Sequence, residues 1–375
     1  MSRTSKIERI AYILSWIVNF IPTAFLTLCP KFISNRIRWC PTSDQELESA
    51  ELMVFLNLKQ SYELEFVNIG KCCGKTDNFI RTISLNKTSD NTPLVLLHGF
   101  PCATGYWVKN LDKLSMHRPV YALDLLGFGR SSRPQFSNDA EEIQTQFIAS
   151  LEMWRKAVGL NKFILLGHDV GGYIAASYAK EFPERIALLI LANPWGIEEK
   201  RIQSHHHYEM DLWVKFLDTF FQGFNFLALI RLAGPFGPYL VKLCRQDLKK
   251  KFAMSHMDPK FVIDYLYHCN VQNPSGEAAY KAMTDGSGYA QHPIMNDIIH
   301  LKRNLPITFV YGSRSWIDRQ PGLQIKFSRL NAFVGIQIVE GAGILIHADK
   351  PDNFNNLINK ICQNFDQGLL LPRDL

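Results

Sequence analysis

Leu165-Leu166-Gly167-His168-Asp169-Val170-Gly171-Gly172 decides how this chain is read. A short apolar run enters a glycine-flanked turn and then a helix-forming stretch. This is the strand–turn–helix whose usual form is G-x-S-x-G. The central residue of such a turn is held in a strained conformation. Its neighbours are small because a larger side chain would strike the strand or the helix. Asp169 stands where the turn ordinarily carries a nucleophilic serine. The strained scaffold is kept and the hydroxyl is replaced by a carboxylate, so catalysis itself is in question.

Working outward, apolar runs at residues 94–97, 120–123, 163–166, 188–192, 307–311 and 336–339 read as strands. Helical stretches at 140–158 and 172–180 lie between them. Near-continuous apolar strands alternating with helices predict an α/β fold, a mostly parallel sheet covered by helices on both faces. Between Trp195 and Leu301 the alternation stops, and the chain becomes helical, aromatic and broken by Gly234-Pro235 and Gly237-Pro238. That stretch reads as a helical cap inserted over the carboxyl ends of the strands, where open parallel sheets bind ligands. The organisation expected is an apolar lipid-surface anchor at 1–40, a core at 60–198 and 302–375, and the cap at 199–301.

The 375 residues are 47% hydrophobic and 20% charged, enough to bury a substantial core. The net charge of +6 is mild, and no basic run of the kind used for nucleic acid occurs. Eight scattered cysteines show no metal-ligand spacing, and the adjacent Cys72 and Cys73 read as reduced thiols. Neither a metal nor a cofactor is expected.

Residues 10–28 are almost wholly apolar, interrupted only by Ser15, Asn19, Thr23 and Thr27. Spaced by four, these fall on one narrow stripe of a helix and leave a broad apolar face with Trp16 and Phe20. Length alone permits a spanning helix. Pro22 would kink it, and three basic residues on each side give no positive-inside orientation. An interfacial segment or shallow hairpin is the preferred reading, with Trp16 and Trp39 as interfacial anchors; a buried helix is the alternative.

Three further motifs fall in the order of an α/β-hydrolase fold. His98-Gly99-Phe100 follows the first buried strand, where its loop can offer the Phe100 N–H to an oxyanion beside the Val170 N–H. Asp318 lies just past a late strand, at the place of the triad acid. Gly341-Ala342-Gly343 then forms the turn that precedes the catalytic histidine, but Ile344 follows it. The acid and both oxyanion donors are present; the serine and the histidine are not. An aspartate can be a nucleophile, but the ester it forms is opened by a water that histidine activates. Removing a triad histidine costs roughly a millionfold in rate, about 8 kcal/mol. His347 is too far along the chain to substitute and reads as a partly exposed polar residue.

These residues, with Trp39-Cys40-Pro41-Thr42-Ser43, the run from Arg118 to Pro134, Pro194-Trp195-Gly196, Ala233-Gly234-Pro235-Phe236-Gly237 and the run from Tyr267 to Glu277, carry a resemblance. The chain resembles the abhydrolase-domain co-activator of adipose triglyceride lipase and its paralogue, an N-acyl-phospholipid lysophospholipase, over nearly everything after residue 39. The paralogue keeps its elbow serine and the co-activator carries asparagine there, so Asp169 places this chain nearer the co-activator. The resemblance implies that Arg314 and Gly343 form the partner-binding surface that switches on the lipase. It also implies a lipid-droplet and cytoplasmic location, with a triglyceride lipase, droplet coat proteins and an acyl lipid as partners. Two features depart from the family. Its H-x-x-x-x-D histidine is Ile344 here, with Asp349 kept, and its glycine cluster after His98-Gly99-Phe100 is Pro101-Cys102-Ala103.

The expectation is therefore a non-catalytic lipase co-activator acting in lipolysis. The rival is a lipid ester hydrolase or lysophosphatidic acid acyltransferase with atypical catalytic residues. His205-His206-His207 reads as a solvated cap loop, because three consecutive imidazoles do not converge on one ion. Lys249-Lys250-Lys251 reads as a solvated helical face, and Phe220, Phe221, Phe224 and Phe226 serve either acyl chains, a partner or the core.

Overall fold

The computed structural model describes residues 39–198, 226–252, 258–285 and 287–370. Trp16, Phe20, the three histidines and the phenylalanines at 220, 221 and 224 lie outside the described residues, as does the side chain of Phe226. Contacts divide the chain after Pro41, and the strands and helices of the fold belong to the unit that begins at Thr42. Among the described residues no helix is long and apolar enough to cross a membrane.

Eight strands form one sheet: β1 (Tyr62–Gly70), β2 (Asn78–Leu85), β3 (Leu94–Leu97), β4 (Val120–Leu123), β5 (Phe163–His168), β6 (Ile186–Ala192), β7 (Ile307–Gly312) and β8 (Val334–Val339). Their order is β1-β2-β4-β3-β5-β6-β7-β8. The β1–β2 and β2–β4 pairs are antiparallel, and every later pair is parallel. All six strands expected from apolar runs are present. Five of them, β3 to β7, are buried along their whole length, which is why they read as largely unbroken apolar runs. The first two strands had no separate expectation, since β1 is largely open to solvent and carries a mixed pattern.

Helices cover both faces. The first is α1 (Asp44–Phe55), opened by Ser43, whose hydroxyl accepts the Glu46 N–H. Such a cap contributes about 1 kcal/mol. α2 (Val108–Leu114) and α3 (Ala140–Ala157) follow. α3 buries Ile143, Phe147, Leu151 and Trp154, one helical face at three- and four-residue spacing. α4 (Val170–Glu181) follows β5 directly. Among the described residues, six helices then lie between β6 and β7: α5 (Phe226–Leu232), α6 (Gly237–Cys244), α7 (Gln246–Lys251), α8 (Lys260–Asn270), α9 (Ser275–Met283) and α10 (Met295–Ile299). The chain closes with α11 (Gln320–Ser328), α12 (Ile346–Asp349) and α13 (Pro351–Asp366).

The sheet order fixes where chemistry can occur. From β3 the chain moves to β4 on one side and then to β5 on the other, so the crevice beyond the carboxyl ends of β3 and β5 is the topological switch point. Leu97 pairs with Gly167, which brings the two strand ends level. The loop after β3 and the turn after β5 therefore face each other across that crevice.

Candidate active site and the adjoining loops

Asp169 takes φ 53° and ψ −119° between β5 and α4. A non-glycine residue held at positive φ costs about 1–3 kcal/mol, so the surroundings must over-determine it. They do: its N–H donates to the Ala192 carbonyl, and its own carbonyl accepts N–H groups from Gly172, Tyr173 and Trp195. The flanking glycines are needed for space. A Cβ on Gly167 would stand 2.2 Å from the Gly171 carbonyl oxygen, and one on Gly171 would stand 2.5 Å from that of His98.

The two expected oxyanion donors converge, but on an acceptor the sequence did not reveal. The Phe100 N–H donates to Asp169 Oδ2 at 2.9 Å, and the Val170 N–H beside it favours the charged form of the same carboxylate. Asp169 thus places its own side chain where a reacting carbonyl would put its oxygen. The group is only 7% exposed. Burial raises its carboxyl above the usual carboxylate range; the His168 ring and the two backbone donors oppose that rise.

The base position offers nothing for general catalysis. Ile344 is half-buried, and its carbonyl accepts from His168 Nε2 at 2.8 Å and from Asn193 Nδ2 at 2.9 Å. That bond assigns the ring proton to Nε2, and burial holds His168 below the ordinary imidazole value. The expectation for His347 is corrected. It is 1% exposed rather than partly exposed, because α12 turns it inward against Trp107, with ring centroids 4.3 Å apart, and against His168 at 4.8 Å. Neither of its ring nitrogens finds a partner, and burial drives it well below the usual value. With neither ring nitrogen bonded, His347 is not hydrogen-bonded to Asp169 as a stand-in base would be. Asp318 is exposed, and its Oδ1 accepts the Gln320 N–H at 2.9 Å at the start of α11. The structure therefore unites Asp169, Phe100 and Val170 and leaves Asp318 on the surface. Among the described residues no His/Cys/Asp/Glu cluster could hold a metal ion.

Arg314 and Gly343 lie on two loops that are tied together. Arg314 N–H donates to the Ala342 carbonyl at 2.8 Å, Ser313 N–H to that of Val339 at 3.1 Å, and Gly341 N–H to Ser313 Oγ at 2.8 Å. Asn193, fully buried at the end of β6, joins both loops to the sheet. Its Oδ1 accepts the Gly312 N–H, and its Nδ2 donates to the carbonyls of Gly343 and Ile344. Gly343 N–H donates to Asp349 Oδ2 at 2.7 Å, and Asp349 pairs with Lys251 of α7 at 3.1 Å. A Cβ on Gly343 would meet only that carboxylate, at 3.1 Å. The Arg314 side chain is exposed and makes no hydrogen bond or ion pair among the described residues.

Several residues that shape this region had no assigned role in the sequence. Asp124, wholly buried after β4, accepts the Thr104 N–H at 2.7 Å and the Arg130 N–H at 2.8 Å, tying the oxyanion loop to the next loop. His98 accepts the Leu125 N–H on Nε2 and donates from Nδ1 to the Gly99 carbonyl. Arg133 gives its guanidinium to four carbonyls, those of Gly127, Gly129, Cys269 and Asn273, and so ties α8 and the residues after it to the loop after β4. Tyr280 of α9 stacks on Phe100 at 4.5 Å. A polar residue just past a buried strand was the available signal for Asp124 and Asn193.

Residues 92–334 match the family described as the alpha/beta hydrolase fold. The chain belongs to that family, as the sheet order and the strained turn after β5 also require. Among its relatives, 1-acylglycerol-3-phosphate O-acyltransferase ABHD5 of Homo sapiens is 42% identical over 326 residues, covering 87% of this chain and 92% of that protein. The (Lyso)-N-acylphosphatidylethanolamine lipase of Mus musculus is 39% identical, covering 87% and 94%. A bacterial membrane phospholipase A structure superposes with a TM-score of 0.60 at 20% identity, over 95% of this chain and 99% of that one. The naproxen esterase of Bacillus subtilis gives 0.58 at 16% identity, over 85% and 98%. At such identities the two structures speak for the fold alone.

Proposed function

We propose that this chain is a non-catalytic protein of the lipid-droplet surface and cytoplasm that recruits or activates a triglyceride lipase of the adipose type, and so acts in lipolysis. The observation that carries the reading is the occupation of the Phe100 oxyanion donor by the buried Asp169 carboxylate. A substrate carbonyl would have to displace a buried, hydrogen-bonded carboxylate before it could be polarised. No histidine follows at position 344 to drive a later step. The names of the acyltransferase and lipase relatives support an origin in acyl-lipid chemistry. Acyltransfer by the H-x-x-x-x-D pattern is disfavoured, because Ile344 replaces its histidine and Asp349 is engaged by Gly343 and Lys251. Arg314 and Gly343, on loops bonded to each other, are read as the activating surface. The apolar segment at 10–28 supplies the contact with the lipid surface.

The test is hydrolysis of p-nitrophenyl esters, lysophospholipids and N-acyl phospholipids by the purified protein, with lysophosphatidic acid acylation beside it. No turnover is expected. Activity that survives purification and disappears in Asp169→Ala would overturn the reading. Deleting residues 1–38 is expected to release a folded protein from droplets into the cytosol. Retention of the truncated protein on droplets would place the anchor elsewhere.

A further inference from the structure

The loop after β7 combines a fixed backbone with side chains left in solvent. Besides the bonds that tie it to the Gly341–Gly343 turn, Ser315 N–H donates to the Gly312 carbonyl at 3.0 Å and Ile317 N–H to Ser315 Oγ at 3.2 Å. From this braced loop Trp316 projects with 72% of its surface exposed. Two residues earlier stands Arg314, exposed and without a hydrogen bond or ion pair among the described residues. Arg329 and Arg133 show what this chain does with an arginine used for folding: each guanidinium is given to four or more backbone carbonyls. Beside the loop lies a cavity of about 200 Å³ whose wall includes Trp195, Tyr289, Tyr311, Trp316 and Ile317.

We propose that Trp316, acting with Arg314, anchors a protein-docking surface. A carboxylate of the partner pairs with the Arg314 guanidinium, and a neighbouring apolar or aromatic side chain packs on the Trp316 indole and enters the cavity. Tryptophan and arginine are the residue types that carry most binding energy at protein interfaces. A loop already held by hydrogen bonds loses little freedom on docking. The charges around it select a protein over a membrane. Arg314 and Arg319 are exposed on the loop, and Glu198 and Asp318 stand in the cavity wall with Trp316, a mixed set of charges that a protein can match, whereas an interfacial segment carries a basic rim. The inference rests on the proposed function, which makes the partner a triglyceride lipase, and adds Trp316 to its contact surface.

The experiment titrates full-length protein against a purified triglyceride lipase of the adipose type, following both binding and triglyceride hydrolysis. Trp316→Ala and Arg314→Ala are each expected to weaken binding by about thirtyfold or more. Trp316→Phe should restore most of it. The double variant should lose less than the product of the two single losses, because the residues serve one contact. Melting temperatures should be unchanged, since both side chains are exposed. Wild-type binding and stimulation by Trp316→Ala would overturn the proposal. So would a defect of Trp316→Ala confined to phosphatidylcholine vesicles, which would assign the indole to lipid. A wild-type chain that neither binds nor stimulates the lipase would overturn the proposed function itself, and this inference with it.

Discussion

Two regions at the carboxyl edge of the sheet carry polar groups in opposite states. At the elbow, Asp169 is buried and its carboxylate accepts the Phe100 N–H from its own chain. Two and three strands further out, the loops after β7 and β8 are fixed through Asn193, yet present Arg314 and Trp316 to solvent. The first region has spent its hydrogen-bonding capacity internally. The second has spent its backbone capacity and kept its side chains. A site built for turnover would show the reverse, with open donors at the elbow and a buried acid–base pair behind it. Under the proposed function, the elbow serves as a plug and the loops after β7 and β8 carry the activity.

The largest effect expected of any variant is the return of chemistry. Asp169→Ser frees the Phe100 and Val170 donors, and Ile344→His supplies a base. Together they should produce weak esterase turnover, and neither alone should, because nucleophile and base act as a unit. A folded but inactive double variant would show that Asp318, now turned to the Gln320 N–H, no longer serves as the acid.

Next in size is the elbow's steric demand. Gly171→Ala sets a methyl group 2.5 Å from the His98 carbonyl oxygen and 2.6 Å from that of Leu97, both backbone atoms. Overpacking against backbone should cost about 3 kcal/mol, read as a lower denaturation midpoint. An unchanged midpoint would mean that β3 and α4 do not approach each other this closely.

Acid should act on the closed region first. His98, His168 and His347 are fully buried, and burial lowers all three, His98 to about 4. Unfolded imidazoles titrate near 6.5, so between about 6.5 and 4 the unfolded chain binds protons that the folded chain refuses. Stability is therefore present above about pH 6.5 and is lost as pH falls; His98 alone accounts for about 2 kcal/mol at pH 5. Asp169 and Asp124, both raised by burial, act with the opposite sign and offset part of this loss. Melting at pH 7 and pH 5 measures the net. His347→Phe should flatten the dependence, since it removes a ring whose nitrogens have no partner. An unaltered pH profile would place His347 in a solvated setting.

The core was legible because β3 to β6 are buried on both faces, which forces unbroken apolar runs, and because the elbow's glycines are required by contacts under 3 Å. The turn at Asp169 and the order of the motifs could be read for the same reason. The plug could not, since it depends on which way one side chain rotates after the strained turn forms. His347 was misplaced because its burial between Trp107 and Phe354 is decided by α12 and α13 packing on α2, contacts distant in sequence. Asn193 carried no motif, and its role exists only because three strands end beside it. The β1–β2 ribbon escaped notice because β1 is half exposed.

The two regions are separated most directly by one titration: triglyceride hydrolysis by an adipose-type lipase against increasing wild-type, Asp169→Asn or Arg314→Ala protein. Asparagine fills the space of the aspartate and can still accept from Phe100 or Val170, so Asp169→Asn should stimulate the lipase as the wild type does. Arg314→Ala should give no stimulation, with a stability change within about 0.5 kcal/mol, as expected for an exposed side chain. Loss of stimulation in Asp169→Asn together with full stimulation by Arg314→Ala would contradict this division and return function to the elbow.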